Sequence, residues 1–143
     1  MENIELKLIK ISDRLYYLPH YKENDWCTLG LVIGEKHTLM LDSGASKRHV
    51  DMFMQQLEEN NLPKPDLCIL THNHWDHTYG LAHLENVTSF ATKATNEQLR
   101  KMQAVLASGL HSECRRGICI FLPRYMQLHS HSCGCFQWLS ALL

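Results

Sequence analysis

The sequence lacks any long apolar run. No stretch of its 143 residues approaches the ~18–20 consecutive apolar residues that a membrane-spanning helix needs. It opens without an apolar leader as well, since Met1 to Lys10 alternates charged with apolar residues. That pattern is not the one expected of a secretory signal. An excess of one charge is also missing, because 14 Lys and Arg stand against 15 Asp and Glu, for a formal charge of −1. The electrostatic footprint of a general nucleic-acid binder is therefore absent, and neither nucleic acid nor membrane is expected as a partner. There are no internal repeats and no low-complexity tracts, and the length suits one core rather than two. These absences describe a soluble, cytoplasmic domain. What the chain has in abundance is His, with ten residues, and Cys, with six. Outside a secretory context the cysteines read as reduced thiols rather than a disulfide framework.

Period-two alternation at Ile4, Leu6 and Leu8 predicts a first half-buried strand, and Leu15 to Leu18 a second. Thr28 to Ile33 and Thr38 to Leu41 are apolar runs separated by Gly34-Glu35-Lys36-His37, which reads as a hairpin. Asp42-Ser43-Gly44 then breaks the strand, and Ser46 can cap a helix whose face carries Val50, Phe53, Met54 and Leu57. That helix should end at Asn60-Asn61. Leu67 to Leu70 is a continuous apolar run, expected to be a strand covered on both faces. A short helical turn through Leu81 and Leu84 and a strand from Val87 to Ala91 follow. Thr95 with Gln98 makes a capping box for a helix with Leu99, Met102 and Leu106 on one face, stopping near Gly109. Strands in hairpins followed by strand–helix units predict an α+β fold, a mixed sheet with helices on one face. Met52, Met54 and Met102 read as core-side residues, and His20, His37, His49 and His83 as surface or satisfied core histidines. Tyr21 and Trp26 lie in a loop between early strands, where core packing and substrate contact both remain open.

The run Leu67–Leu70 delivers the chain into His72, His74, Asp76 and His77, an H-x-H-x-D-H motif. Imidazole nitrogens and a carboxylate are the donors that a borderline-soft divalent ion such as zinc accepts. Chance supplies on the order of 0.002 such matches in a chain of this composition. On an extended stretch His72 and His74 project to the same side and can share one metal. As the chain turns, Asp76 and His77 can reach a second position ~3.5–4 Å away, the spacing of two-metal sites.

At these residues the chain resembles the metallo-β-lactamase superfamily of metallo-hydrolases. Leu39-Met40-Leu41-Asp42-Ser43-Gly44 is similar to the family's strand ending in Asp-x-Gly, and Leu70 to His77 to its metal-binding motif, one amphipathic helix apart. The resemblance covers about residues 4–107. It implies an αββα sandwich, here truncated to roughly its first half, with one or two zinc ions at the sheet edge. His72 and His74 would then ligate the first metal and Asp76 and His77 the second. Asp76 would orient or deprotonate the metal-bound hydroxide that attacks an ester, thioester, lactone or amide-like bond of a small molecule, and Asp42 would steady the ligand loop. Oxygen-reducing di-iron members usually carry a carboxylate where this chain has His74, which favours zinc hydrolysis. Relatives hydrolyse β-lactams, thioesters, lactones, phosphodiesters and RNA.

The composition changes near Gly109, dividing the chain into residues 1–110, the half-domain, and residues 111–143, an atypical tail. The tail holds Cys114, Cys119, Cys133 and Cys135, no Lys, and three Arg against the single acid Glu113. The family's third His, bridging acid and final His should follow His77. Yet only His83, His111, His129 and His131 remain, and no Asp comes after Asp76. His129 or His131 could supply the third ligand. The tail cysteines with these histidines could form a separate metal cluster, though their spacing matches no structural-zinc pattern. The reading preferred here is a tail foreign to the fold, out of frame or disordered. The alternative to a hydrolase is a non-catalytic half-domain that needs a partner chain or self-associates through an uncovered sheet face.

Overall fold

The computed structural model describes residues 6–107, with side chains as far as residue 103. A single six-stranded sheet runs in chain order through β1 (Ile9–Ser12), β2 (Leu15–Leu18), β3 (Leu29–Ile33), β4 (Thr38–Leu41), β5 (Leu67–Leu70) and β6 (Thr88–Ala91). The first four strands form an antiparallel meander, whereas β5 and β6 join parallel to β4. Parallel pairing requires a crossover. Helix α1 (Lys47–Glu59) supplies the first; the single turn α2 (Trp75–Thr78) and the 3-10 turn Tyr79–His83 supply the second. Helix α3 (Lys93–Ala107) follows β6.

Local chemistry accounts for most of these boundaries. In the β3–β4 hairpin the Gly34 N–H donates to the His37 carbonyl at 2.9 Å, and Ile33 pairs with Thr38. The Ser46 side chain accepts from the His49 N–H at 3.3 Å, which caps α1 as expected from the sequence. Val50, Phe53 and Leu57 are buried and Met54 partly so, which bears out the helix face. Phe53 and Leu57 are fully buried, worth about 1.5–3 kcal/mol each in removed apolar surface.

Three expectations need correction. The first strand among the described residues lies at Ile9–Ser12 and does not include Leu6 or Leu8, while Ile4 lies outside the described residues. Leu6 and Leu8 are partly buried against the core, yet the Leu8 N–H donates to the Gln56 side chain at 3.0 Å. The alternation therefore reports burial without a strand partner. Helix α3 starts earlier than Thr95, and the Thr92 hydroxyl oxygen, not Thr95, accepts from the Thr95 N–H at 3.1 Å. Strand β5 is not covered equally on both faces, since Cys68 and Leu70 are buried while Leu67 and Ile69 are only partly so.

That inequality extends across the sheet. One face carries Leu29, Leu31, Met40, Cys68, Leu70 and Ala91, packed with Phe53 and Leu57 of α1 and Leu99 of α3. On the other, Gly30, Leu41, Ile69 and Phe90 form a cross-strand row in which the last three are only partly buried. The described residues thus form a mixed sheet with its helices on one face. None of their helices is long and apolar enough to cross a membrane. The expectations for residues 111–143, including His129, His131 and the tail cysteines, lie outside the described residues.

Candidate metal centre

Parallel pairing of β4 with β5 brings the C-terminal ends of both strands to one sheet edge. Asp42 leaves β4 in a left-handed conformation, φ 60°, which Asp tolerates better than most residues. Its buried carboxylate collects three donors. The Thr71 N–H donates at 2.7 Å, the Thr71 hydroxyl at 2.8 Å and the His77 Nδ1–H at 2.8 Å. Asp42 therefore ties the loop after β4 to both ends of the His-rich segment.

These bonds assign the imidazole protons. The Thr71 hydroxyl has one proton, and Asp42 takes it, so the same oxygen accepts from His72 Nδ1–H at 2.9 Å. His77 likewise commits its Nδ1–H to Asp42. In both rings Nε2 is left as the lone-pair donor, the state a metal ligand requires.

The backbone presents the segment rigidly. The Ser43 N–H and hydroxyl both donate to the His77 carbonyl, at 2.8 and 2.9 Å, and the Thr78 hydroxyl donates to the His74 carbonyl at 3.0 Å. The Gly80 N–H donates to the Gly44 carbonyl at 2.8 Å. A Cβ at Gly80 would stand 1.8 Å from the Ser43 carbonyl oxygen, so only glycine allows this approach.

His72 lies between His74 and His77, with ring centroids 4.5 and 4.0 Å away. Asp76 Oδ2 faces His77 Nε2 at 3.3 Å. The four motif side chains lie near one another at the sheet edge, but among the described residues the donor atoms of His72 and His74 join no group of three within 4.8 Å, whereas those of Asp76 and His77 do. His83 is exposed on the 3-10 turn.

The structure adds a residue that the sequence did not mark. Donor atoms of Cys27, Asp76 and His77 lie within 4.8 Å of one another. Cys27 is buried, and its thiol donates to the Asp76 carbonyl at 2.9 Å. Burial, reinforced by the charges of Asp42 and Asp76, pushes the thiol pKa up to about 12. Nothing local to Cys27 advertises this position. It stands 49 residues before Asp76 and reaches the site only because the meander sets β3 beside β4. Its neighbour Trp26 is buried, bridges backbone-to-backbone with Tyr21, and stacks on His49 at 4.7 Å and 6° between planes. His49 itself is fully buried. Its Nδ1 accepts from the Ala45 N–H at 3.2 Å, while Nε2 has no hydrogen-bond partner among the described residues. The expectation of a satisfied core histidine therefore holds for one nitrogen only. Burial lowers its pKa to about 4.

An open cleft of about 590 Å³ borders the site, with Lys22, Trp26, Cys27, Asp76 and His77 in its wall. The imidazole of His77, the carboxylate of Asp76 and the thiol of Cys27 form a donor set that fits a zinc-type ion, with His72 and His74 as further imidazoles nearby.

A mixed sheet that turns from antiparallel to parallel, with a His-rich loop at the parallel strand ends and helices on one side, agrees with the first half of the αββα sandwich expected from the sequence. The model of the Metallo-beta-lactamase superfamily matches residues 27–107, and the chain belongs to that superfamily. Among solved structures it is similar to the metallo-beta-lactamase FIM-1 from Pseudomonas aeruginosa in its mono-zinc form. The TM-score is 0.56 at 14% identity, covering 69% of this chain and 47% of that one. DIM-1 metallo-beta-lactamase gives a TM-score of 0.56 at 19% identity, covering 71% and 49%. VMB-1 gives 0.53 at 26% identity, covering 71% and 49%. The chain thus spans about half the length of these solved relatives. No curated protein matches it. Membership of the superfamily supports a metallo-hydrolase in general terms.

Proposed function

We propose that this chain carries the metal-binding half of a zinc-dependent hydrolase that cleaves an ester, thioester, lactone or amide-like bond in a small molecule. The observation that carries the reading is the Asp42–Thr71 network, which leaves Nε2 of His72 and His77 as lone-pair donors, that of His77 facing Asp76. His72, His74, Asp76 and His77 would hold one or two ions. A bound divalent ion supplies Lewis acidity and makes water a nucleophile near neutral pH. Asp76, whose carboxylate faces the cleft beside His77, would orient that water and accept its proton. Asp42 and Thr71 hold the ligand rings in one tautomer throughout. The cytoplasm is the proposed compartment, in keeping with the free thiols of Cys27 and Cys68.

Elemental analysis of the purified chain after zinc loading and desalting tests this reading. The native chain should retain zinc, and His72→Ala with His74→Ala should retain clearly less. Equal metal content in the double variant would remove the assignment. Turnover of a panel of aryl esters, thioesters and lactones then tests the chemistry.

A second reading is a non-catalytic half-domain that pairs with a second copy of itself. The partly buried row of Leu41, Ile69 and Phe90 favours it, because an apolar sheet face of this kind is stabilised by cover. Size-exclusion chromatography separates the two. A zinc-loaded monomer with turnover excludes the pairing reading.

A further inference from the structure

We infer that Cys27 is a thiolate ligand of the site, forming with Asp76 and His77 a sulfur–oxygen–nitrogen donor set for one divalent zinc-type ion. The inference rests on the metal-binding reading above and adds to it a residue outside the H-x-H-x-D-H motif. Four observations carry it. First, the three donor atoms already lie within 4.8 Å of one another. Asp76 Oδ2 and His77 Nε2 stand 3.3 Å apart, near the ~3.4 Å that tetrahedral zinc bonds of ~2.1 Å impose on neighbouring donors.

Second, Asp42 holds His77 through Nδ1, so its remaining nitrogen is the one on the Asp76 side. Third, Cys27 occupies a fixed position. The Tyr21–Trp26 bridge closes the preceding loop with two backbone hydrogen bonds of 3.0 Å, the Trp26 ring is stacked on His49, and β3 begins two residues later. Fourth, Cys27 lines the same open cleft as Asp76 and His77, which gives an ion a route to the thiol. Cys68, the other described cysteine, is fully buried between strands and lines no part of the cleft.

On coordination the Cys27 S–H bond breaks, its proton passes to solvent, and a sulfur–metal bond replaces the hydrogen bond to the Asp76 carbonyl. No oxidant or reductant is involved. A mixed thiolate, carboxylate and imidazole set selects zinc-type ions over magnesium or calcium, which prefer oxygen donors.

Cobalt(II) substitution of the full chain tests this directly. The native chain should show a thiolate-to-cobalt charge-transfer band in the near ultraviolet beside the visible ligand-field bands. Cys27→Ser, nearly equal in volume, should lose the charge-transfer band and keep the visible bands. Its zinc affinity, measured by chelator competition, should fall by ~100-fold or more, the upper end of what outer-shell partners alone contribute. Zinc X-ray absorption of the native chain should show one sulfur at ~2.3 Å, missing in Cys27→Ser. Far-ultraviolet circular dichroism and Cys27→Ala control for folding. A band that persists in Cys27→Ser assigns the sulfur to another cysteine and overturns the inference. Visible bands without a charge-transfer band in the native chain overturn it while leaving the metal site standing. No cobalt uptake at all overturns both.

Discussion

Replacing Asp42 by Asn changes one atom and should disable the ligand loop. The native carboxylate only accepts, and it takes donors from the Thr71 N–H, the Thr71 hydroxyl and the His77 Nδ1–H. The Oδ1 oxygen of Asn can still serve the Thr71 N–H. Its amide nitrogen, however, is a donor and would stand where Oδ2 meets His77 at 2.8 Å. Two donors cannot share that contact. His77 must move its proton to Nε2, which removes the lone pair facing Asp76, or swing away from the site. The Thr71 hydroxyl loses its 2.8 Å acceptor and keeps only Oδ1 at 3.0 Å, which the Thr71 N–H already uses, so its hold on His72 loosens. Outer-shell partners of this kind are worth ~10–100-fold in metal affinity, or about 1.4–2.7 kcal/mol. The altered buried hydrogen bonds should cost a further ~1–3 kcal/mol of folding stability. Zinc competition against a chromophoric chelator measures the first quantity, and urea unfolding of the metal-free chain the second. Thr71→Ser, which retains the hydroxyl, should stay within about twofold of the native affinity. Native affinity in Asp42→Asn would refute the tautomer argument, because Asp42 would then have no hold on the ligands.

The remaining predictions concern stability. Gly80→Ala places a methyl group 1.8 Å from the Ser43 carbonyl oxygen and 2.7 Å from Val50 Cγ2, where backbone cannot yield. It should cost about 3 kcal/mol or more by urea unfolding; a loss below 1 kcal/mol would show that the loop shifts freely. His49 is neutral in the folded chain, its pKa lowered from 6.5 to about 4 chiefly by burial. The unfolded chain therefore binds the extra proton first. This contribution is fully present above pH ~6.5 and is lost as pH falls through ~4, a total of about 3 kcal/mol. Urea midpoints measured across that window should show the slope, and His49→Gln should lack it. An identical slope in His49→Gln would assign it to other groups.

Much of the architecture was legible from residue order. The hairpin at Gly34 to His37, the Ser46 cap, the Val50–Phe53–Leu57 face and the strand at Leu67–Leu70 all depend on interactions a few residues long, which periodicity and capping report. The H-x-H-x-D-H motif was legible for the same reason, as its four side chains are local neighbours. Where pattern and structure parted, a distant partner decided. Leu8 alternates like a strand residue, but its N–H meets Gln56 of α1. The run Leu67–Leu70 is apolar at every position, but only one of its faces meets helices among the described residues.

The sequence alone determined that His72, His74, Asp76 and His77 are candidate metal donors, because donor chemistry and short spacing belong to the side chains and the local chain. The tertiary structure decided which imidazole nitrogens are held by other partners and which distant residue lies beside them. Parallel pairing of β4 and β5 brings Asp42 to Thr71 and His77, 29 and 35 residues away, and so settles the imidazole protons. Antiparallel pairing of β3 with β4 brings Cys27 to Asp76 across 49 residues. Hydrogen-bond register sets those meetings between strands, and no local pattern encodes it.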